Sequence, residues 1–171
     1  MTGTNEVAIG IRPATDADLP FVVDLVNREI RHSPFVWGEV PNTLEQRREW
    51  LAKHRDANQP VFVACDDDGR RLGWASLSTF RAASGYRFTC EVSVYVAREM
   101  HRRGIARRLI EQLHESARAL GLRALIAVID TENAASIRLF ESFGYEEAGR
   151  LKEIGRKFEQ WRSEVFLLKH V

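Results

Sequence analysis

The run Leu125–Ile129 restricts the possible folds more than any other part of the sequence, because all five of its residues are apolar. A strand with one face in water alternates apolar and polar residues, so this run predicts a strand that is covered on both faces. Segments with helical periodicity lie on either side of it, at 104–120 and 134–142. The alternation of strands and helices predicts an α/β layered domain with a mixed sheet.

Cap residues, turns and apolar spacing predict the other elements. Thr43 and Gln46 form a capping box, Asp66–Gly69 has the composition of a hairpin turn, and Gly121 is placed to end a helix. Strands are predicted at 7–12, 61–65, 72–77, 89–96, 125–129, 146–151 and 161–168, and helices at 15–30, 43–55, 104–120 and 134–142. Because no linker or repeat interrupts the chain, we expect one domain at 7–171 after a flexible tail at 1–6.

Composition argues against several classes of protein. The chain has 25 Lys and Arg against 24 Asp and Glu, and it lacks the basic excess of a dedicated nucleic-acid binder. No apolar run approaches the roughly 18 residues of a membrane-spanning helix, and the first residues lack the pattern of a secretory signal. We therefore expect a cytoplasmic protein with no nucleic-acid or membrane partner.

Cysteine and histidine usage predicts neither a disulfide framework nor a metal site. Cys65 and Cys90 are the only cysteines, and no Cys/His cluster has the spacing of zinc ligands. The histidines show no i, i+4 pair, so we expect all five to be exposed or incidental: His32, His54, His101, His114 and His170.

The turn His101–Ala106 lies between a predicted strand and a predicted helix, and it is rich in arginine around Gly104. Unpaired N–H groups and the helix dipole favour anions at a helix N-terminus, and glycine lets a phosphate approach the backbone. Neither a nucleoside-triphosphate loop nor the three-glycine dinucleotide fingerprint is present. Taken alone, the turn fits an anion site or a solvated basic helix start equally well.

The neighbouring segments resemble the GCN5-related N-acetyltransferase (GNAT) superfamily. The likeness runs through strand 91–96, the turn, and segment 133–145. The acyl-CoA signature of that superfamily is Gln/Arg-x-x-Gly-x-Gly/Ala, and His101 stands here at the usual Gln/Arg position. This resemblance implies a mixed sheet of six to seven strands flanked by about four helices, in which two central strands splay apart to bind acyl-CoA.

Within the superfamily, segments 11–18, 37–39 and 155–161 are similar to the phosphinothricin and methionine sulfoximine acetyltransferases. The likeness covers about residues 8–168 and implies transfer of an acetyl group from acetyl-CoA, without a metal, to the primary amine of a small amino acid-like substrate. It also implies a homodimer. The cofactor-binding residues that it implies are Val94, Tyr95, Val96, Arg102, Arg103, Gly104, Ile105, Ala106, Arg107, Asn133 and Ser136.

The same resemblance assigns the catalytic base to Glu91, which would accept a proton from the amine directly or through water. Without the resemblance, Glu91 reads as a solvated carboxylate at the end of a strand. Many members have a tyrosine that protonates the leaving thiolate, but Phe140 occupies that position, so we assign no general acid. The substrate-binding residues that the resemblance implies are Trp37, Arg81, Ser84, Gly85, Tyr86 and Arg87.

Three further expectations concern packing and alternatives. Trp50, Trp74 and Trp161 are expected in the core, as is Tyr145. A protein N-terminal acetyltransferase of the same superfamily remains an alternative, although it needs an open peptide groove. A non-catalytic acyl-CoA-binding sensor also remains possible, and the presence of a candidate base argues against it.

Overall fold

The computed structural model describes residues 8–171, and within them seven strands form one mixed sheet in the order β1-β2-β3-β4-β5-β7-β6. Val7 and the tail expected at 1–6 lie outside the described residues. The strands are β1 (Gly10–Pro13), β2 (Val61–Cys65), β3 (Arg71–Thr79), β4 (Thr89–Val96), β5 (Ala124–Asp130), β6 (Glu146–Lys157) and β7 (Gln160–His170). The helices are α1 (Leu19–His32), α2 (Leu44–Asp56), α3 (Ile105–Ala119) and α4 (Ala134–Glu141). This architecture confirms the fold that the sequence predicts.

The central pairing of the sheet is the parallel one between β4 and β5, whereas the other strand pairs are antiparallel. A parallel pair requires a crossover, and α3 supplies it. The run Leu125–Ile129 lies on β5, where Leu125, Ala127 and Ile129 are buried against the α3 face. Ile126 and Val128 on the opposite face are only partly buried, so the predicted cover on both faces is complete on one face only.

The α3 face of the sheet carries the larger hydrophobic core. Ile105, Leu109 and Leu113 of α3 are almost fully buried there. Cys90 and Val92 of β4 point into the same cluster. Side chains alternate along a strand, so the intervening residues of β4 lie on the opposite face.

The opposite face is covered by α1 and α2, and its apolar cluster is smaller. Val22 and Val26 of α1 pack there against Val63 and Trp74. Tyr95 of β4 joins this cluster, and its ring stacks on that of Trp74 with centroids 4.8 Å apart. The capping box of Thr43 and Gln46 starts α2 as predicted.

Four expectations about individual residues and elements are wrong. Trp161 is 63% exposed, because it lies on the β6–β7 hairpin at the edge of the sheet. His54 and His114 are buried, where His54 bonds Ser78 and His114 bonds the hydroxyl of Tyr145 at 3.0 Å. Burial, with nearby positive charges, lowers the pKa of His114 to about 4. The last hairpin is also longer than the apolar pattern predicts, since mostly exposed residues extend β6 as far as the buried Lys157.

Buried Tyr145 and Trp74 confirm the packing expected of them, and Phe140 is buried against Tyr145. No helix in the part of the chain that the structure describes is long and apolar enough to cross a membrane.

Candidate active site

Strand β4 separates from β5 after its first residues. The two strands are paired only from Thr89 to Glu91, whereas β4 continues to Val96 and β5 continues to Asp130 along β7. Within residues 8–171, the backbone of β4 from Val92 onward therefore has no strand partner on the β5 side. The fold thus contains the splay that the sequence resemblance implies, and a linear ligand could pair with this edge as an added strand.

The turn that follows β4 presents backbone and positive charge at the start of α3. Arg102 and Gly104 have left-handed backbone conformations, with φ of 62° and 77°. No atom lies within 4 Å of the position that a Cβ on Gly104 would occupy. Arg102 and Arg103 are exposed and make no ion pair with the other residues that the structure describes. An open helix N-terminus with free arginines has the chemistry of a phosphate site.

His101 and Asn133 make local contacts beside this edge. The Nε2 atom of His101 lies 3.0 Å from the carbonyl oxygen of Val96, which can only accept, so Nε2 is the donor. Asn133 caps α4, because its Oδ1 accepts from the backbone N–H of Ser136 at 3.2 Å. The residues present fit an acyl-CoA: a free strand edge, an open glycine turn and unpaired arginines follow one another along the chain.

Glu91 lies where the splay begins, on the α1–α2 face of the sheet. Its neighbours Cys90 and Val92 point to the α3 core, so alternation directs Glu91 and Tyr95 to the opposite face. Partial burial raises the pKa of Glu91, and the negative charge of Glu164 raises it further. A carboxylate with a raised pKa in a cleft is a candidate proton acceptor.

The loop between β3 and β4 carries the predicted substrate residues. Ser84–Tyr86 forms a short 3-10 helix, and Arg87 bonds the carbonyl of Ser84 at 3.2 Å. Arg81 lies over the rings of Phe80 and Tyr86, at 5.2 and 5.6 Å from their centroids. Gly85 is exposed in the same segment, which leads directly into Glu91. The loop therefore presents exposed guanidinium groups, held by aromatic rings, at one end of the strand that carries the candidate base.

Comparison with known proteins identifies the family. The model of the acetyltransferase (GNAT) family matches residues 23–145 of this chain. The chain belongs to the GNAT family of acetyltransferases. The match includes the splayed strand, the glycine turn and the α4 cap described above.

Relatives of this acetyltransferase support the same family and indicate its chemistry. The L-methionine sulfoximine/L-methionine sulfone acetyltransferase of Pseudomonas aeruginosa is 35% identical over 94% of each chain. A phosphinothricin acetyltransferase from Sinorhizobium meliloti, solved in complex with acetyl-CoA, is 29% identical with a TM-score of 0.92, covering 95% of this chain and 88% of its own. A ribosomal-protein-alanine N-acetyltransferase from Brucella melitensis is 40% identical with a TM-score of 0.91, covering 95% and 99%.

Trp37 has partners in this acetyltransferase that sequence reasoning missed. Its Nε1 donates to Asp130 at the end of β5, at 2.9 Å, and Asp130 forms a buried ion pair with Arg162 at 2.7 Å. The ring also covers Gly155 so closely that a Cβ there would clash. No local pattern shows these contacts, because Asp130 and Arg162 lie on different strands and Trp37 lies on the loop between α1 and α2.

Lys157 and Glu164 were also missed. Lys157 is buried, and its Nζ donates to the carbonyl of Ile30 at 2.7 Å and also to that of Gly38. It therefore fastens the end of α1 and the following loop to β6. Glu164 lies opposite Asp130 on β7, and burial raises its pKa. The sequence signal near these residues is the strand predicted at 161–168, and it does not distinguish their roles.

Proposed function

We propose that the protein is an acetyl-CoA-dependent N-acetyltransferase that acts on the primary amine of a small amino acid-like substrate, of the methionine sulfoximine or phosphinothricin type. The observation that carries the proposal is the unpaired edge of β4 with Glu91 at its start. The names of the relatives from Pseudomonas aeruginosa and Sinorhizobium meliloti support both the substrate class and the use of acetyl-CoA.

In this proposal, acetyl-CoA supplies the acetyl thioester, and the chain binds it along β4 and α3. Backbone groups of Val94, Tyr95 and Val96 pair with the pantetheine arm, and one N–H polarises the thioester carbonyl. The turn and the first residues of α3 hold the pyrophosphate, through Arg102, Arg103, Gly104, Ile105, Ala106 and Arg107. Asn133 and Ser136 contact the cofactor from the start of α4, and the cap bond uses only the Oδ1 of Asn133.

Glu91 would move the proton in this reaction. An alkylammonium has no lone pair, so the amine must lose a proton before its nitrogen attacks the thioester carbon. The Glu91 carboxylate accepts that proton, directly or through one water, and a raised pKa makes it a better base near neutral pH. Once the nitrogen has bonded to the thioester carbon it gives up a second proton to solvent, and the carbon–sulfur bond breaks. Solvent then protonates the departing thiolate, because Phe140 cannot donate a proton.

Substrate recognition is assigned to the loop between β3 and β4 and to Trp37. Arg81 and Arg87 suit a phosphinate, sulfoximine or carboxylate group, since guanidinium groups donate in pairs to such oxygens. Ser84, Gly85 and Tyr86 shape the loop between them. Trp37 forms a wall of the site, which Asp130 and Gly155 hold in place.

A protein N-terminal acetyltransferase is the second candidate, and the Brucella melitensis structure is the observation that favours it. The discriminating experiment measures thiol release from acetyl-CoA with a panel of amines. The panel contains methionine sulfoximine, methionine sulfone, phosphinothricin, common amino acids and a peptide with N-terminal alanine. We expect the highest kcat/KM with the free amino acid analogues. Preference for the peptide would support the second candidate, and no turnover with cofactor binding retained would support a sensor.

We also propose a homodimer. The β6–β7 hairpin is at the edge of the sheet and exposes large apolar side chains, of which Ile154, Phe158 and Trp161 are at least half exposed. Exposed apolar residues concentrated on one element are typical of an interface. Sedimentation equilibrium checks this expectation: we expect twice the chain mass, and a monomer at micromolar concentration would contradict it.

A further inference from the structure

Arg47 is a half-buried cation without a partner. Its side chain forms no hydrogen bond and no ion pair with any other residue in the range 8–171, and its Nε is fully buried. Its guanidinium carbon lies 5.0 Å from the ring centroid of Trp50 and 5.9 Å from that of Trp74. Burying an unpaired charge is unfavourable, and arginine remains protonated, so an anion from outside the chain would relieve this cost.

The position of Arg47 connects it to the candidate active site. Trp74 contacts the guanidinium on one side and stacks on Tyr95, its partner in the β3–β4 register. Tyr95 and Glu91 share one face of β4. Burial is the main cause of the raised pKa of the Tyr95 phenol; the charge of Arg47 lowers that pKa, whereas the charges of Glu29 and Glu91 raise it. The hydroxyl of Tyr95 makes no hydrogen bond within the described part of the chain. A cation, a free hydroxyl and a carboxylate therefore follow one another across this face.

We propose that Arg47 binds the α-carboxylate of the substrate while Glu91 faces its ammonium, so that the two side chains together select α-amino acids. This inference rests on the proposed function. An α-amino acid carries its two opposite charges on groups bonded to the same carbon, and a cation without a partner among the described residues, on the same face as the Glu91 carboxylate, matches that pattern. A guanidinium can also donate to both oxygens of a carboxylate.

The proposal gives the arginines of this chain different tasks. Arg81 and Arg87 are exposed in a loop and stack on aromatic rings, so they are placed for the variable end of the substrate. Arg47 is held on a helix between two tryptophans, which fixes its position and lowers the local dielectric. A cation that is held in place and partly shielded from water is better suited to bind the α-carboxylate, which all α-amino acids share.

The test uses Arg47→Gln, with Arg48→Gln as a matched control on the same helix. Arg48 is more than half exposed, and Glu45 is its one ion-pair partner among residues 8–171. Each variant is assayed with L-methionine sulfone and with the corresponding amine that lacks the carboxylate. We expect Arg47→Gln to raise KM for the amino acid about ten- to a hundredfold, with little change for the amine. We expect Arg48→Gln to match the unmutated protein with both substrates.

Arg47→Lys keeps the positive charge but removes the paired N–H donors of the guanidinium group, so it separates the effect of the charge from the effect of the planar group. We expect its KM for the amino acid to lie between those of the unmutated protein and Arg47→Gln. Equal effects of Arg47→Gln on both substrates, with acetyl-CoA affinity retained, would overturn this inference and leave the proposed function intact. If the unmutated protein accepts only amines without a carboxylate, the proposed function fails and the carboxylate site fails with it.

Discussion

The two faces of the central sheet are built differently. The α3 face is a continuous apolar core in which Leu109, Ile110 and Leu113 are fully buried. The α1–α2 face has less apolar packing and carries the ionisable groups Glu91, Glu164 and the Asp130–Arg162 pair. Both faces share the same strands. Because side chains alternate along each strand, one strand can direct apolar side chains into the core and ionisable side chains to the opposite face.

This difference indicates where the fold can tolerate unsatisfied groups. A close-packed core leaves no room for a ligand, and adding or removing one methylene group there changes the stability of the fold. On the other face, Arg47 lacks a partner among the described residues. In the plane of the sheet, β4 has a free edge toward β5 within residues 8–171, and a bound ligand could satisfy both. Stability should therefore depend more on the α3 face, and catalysis on the α1–α2 face.

The sharpest test of this separation uses two adjacent residues of β4. We expect Glu91→Gln to lower kcat by about 10²- to 10⁴-fold at neutral pH, because it removes a general base. Acetyl-CoA affinity should stay nearly unchanged, and the lost rate should partly return at alkaline pH, where more of the amine is neutral. Steady-state assays across pH check both expectations.

Val92→Ala is the matched variant on the opposite face. Val92 is only 6% exposed, so we expect a loss of about 1.5–3 kcal/mol in the free energy of unfolding and little change in kcat. Two results would contradict the division of catalysis and stability between the faces. One is an unchanged kcat of Glu91→Gln at pH 7, and the other is a large loss of kcat in Val92→Ala while that variant remains folded.

Local patterns predicted most of the fold, because its elements are defined by residues that are close in sequence. The Thr43–Gln46 box, the Asp66–Gly69 turn and Gly121 with its positive φ are each found where the sequence predicts them. Trp161 was predicted wrongly, because composition does not show that its strand lies in an edge hairpin.

The environment of the candidate site was harder to predict. Glu91 and Gly104 came from a family motif, whereas the contact between Trp37 and Asp130 joins residues from a loop and a distant strand. Arg47 gives no sequence signal at all, since arginines on an amphipathic helix are usually solvated. Only the tertiary packing of Trp50 and Trp74 shows that this arginine is half-buried and unpaired.

Asp130→Asn tests whether paired charges on the α1–α2 face also support the fold. Burial alone would raise the pKa of Asp130, but hydrogen bonds from Arg162, the Glu132 backbone and Trp37 outweigh it and hold the pKa below its ordinary value. The variant leaves the buried guanidinium of Arg162 with only the exposed carboxylate of Glu132 as its counter-charge. We expect a loss of about 3–5 kcal/mol in the free energy of unfolding at pH 7, measured by urea denaturation.

The pH dependence of that loss has a definite sign. A depressed pKa stabilises the folded state above the unfolded pKa of about 3.9, and the stabilisation disappears as pH falls through the folded value. The difference between the unmutated protein and Asp130→Asn should therefore shrink in acid. Glu147→Gln, which breaks an exposed pair with Arg150, is the control and should change stability little. A similarly small effect of Asp130→Asn would show that the Asp130–Arg162 ion pair does not stabilise the fold.

Gly104→Val tests the phosphate role of the turn before α3, with Gly121→Val as its control at the other end of the helix. Both glycines have positive φ, of 77° and 66°, and both have open space where a Cβ would stand. The two variants therefore carry the same kind of backbone strain. We expect only Gly104→Val to weaken acetyl-CoA binding, by at least about tenfold, because its side chain occupies the anion site. Calorimetry measures both affinities, and equal losses would assign the effect to strain alone.

Glu164→Gln is expected to have the smallest effect, a displacement of the acid limb of the pH–rate profile. Burial is the main cause of the raised pKa of Glu91, and the negative charge of Glu164 adds to it. Removing that charge lowers the pKa of Glu91, so the base remains ionised to lower pH and the acid limb of kcat/KM moves to lower pH. The rate at the plateau should fall only slightly, through the weaker basicity of Glu91, because Glu164 holds no proton that the reaction uses. A lowered plateau with an unmoved limb would instead place Glu164 in contact with the substrate, and the charged face would then contain a second carboxylate that acts directly.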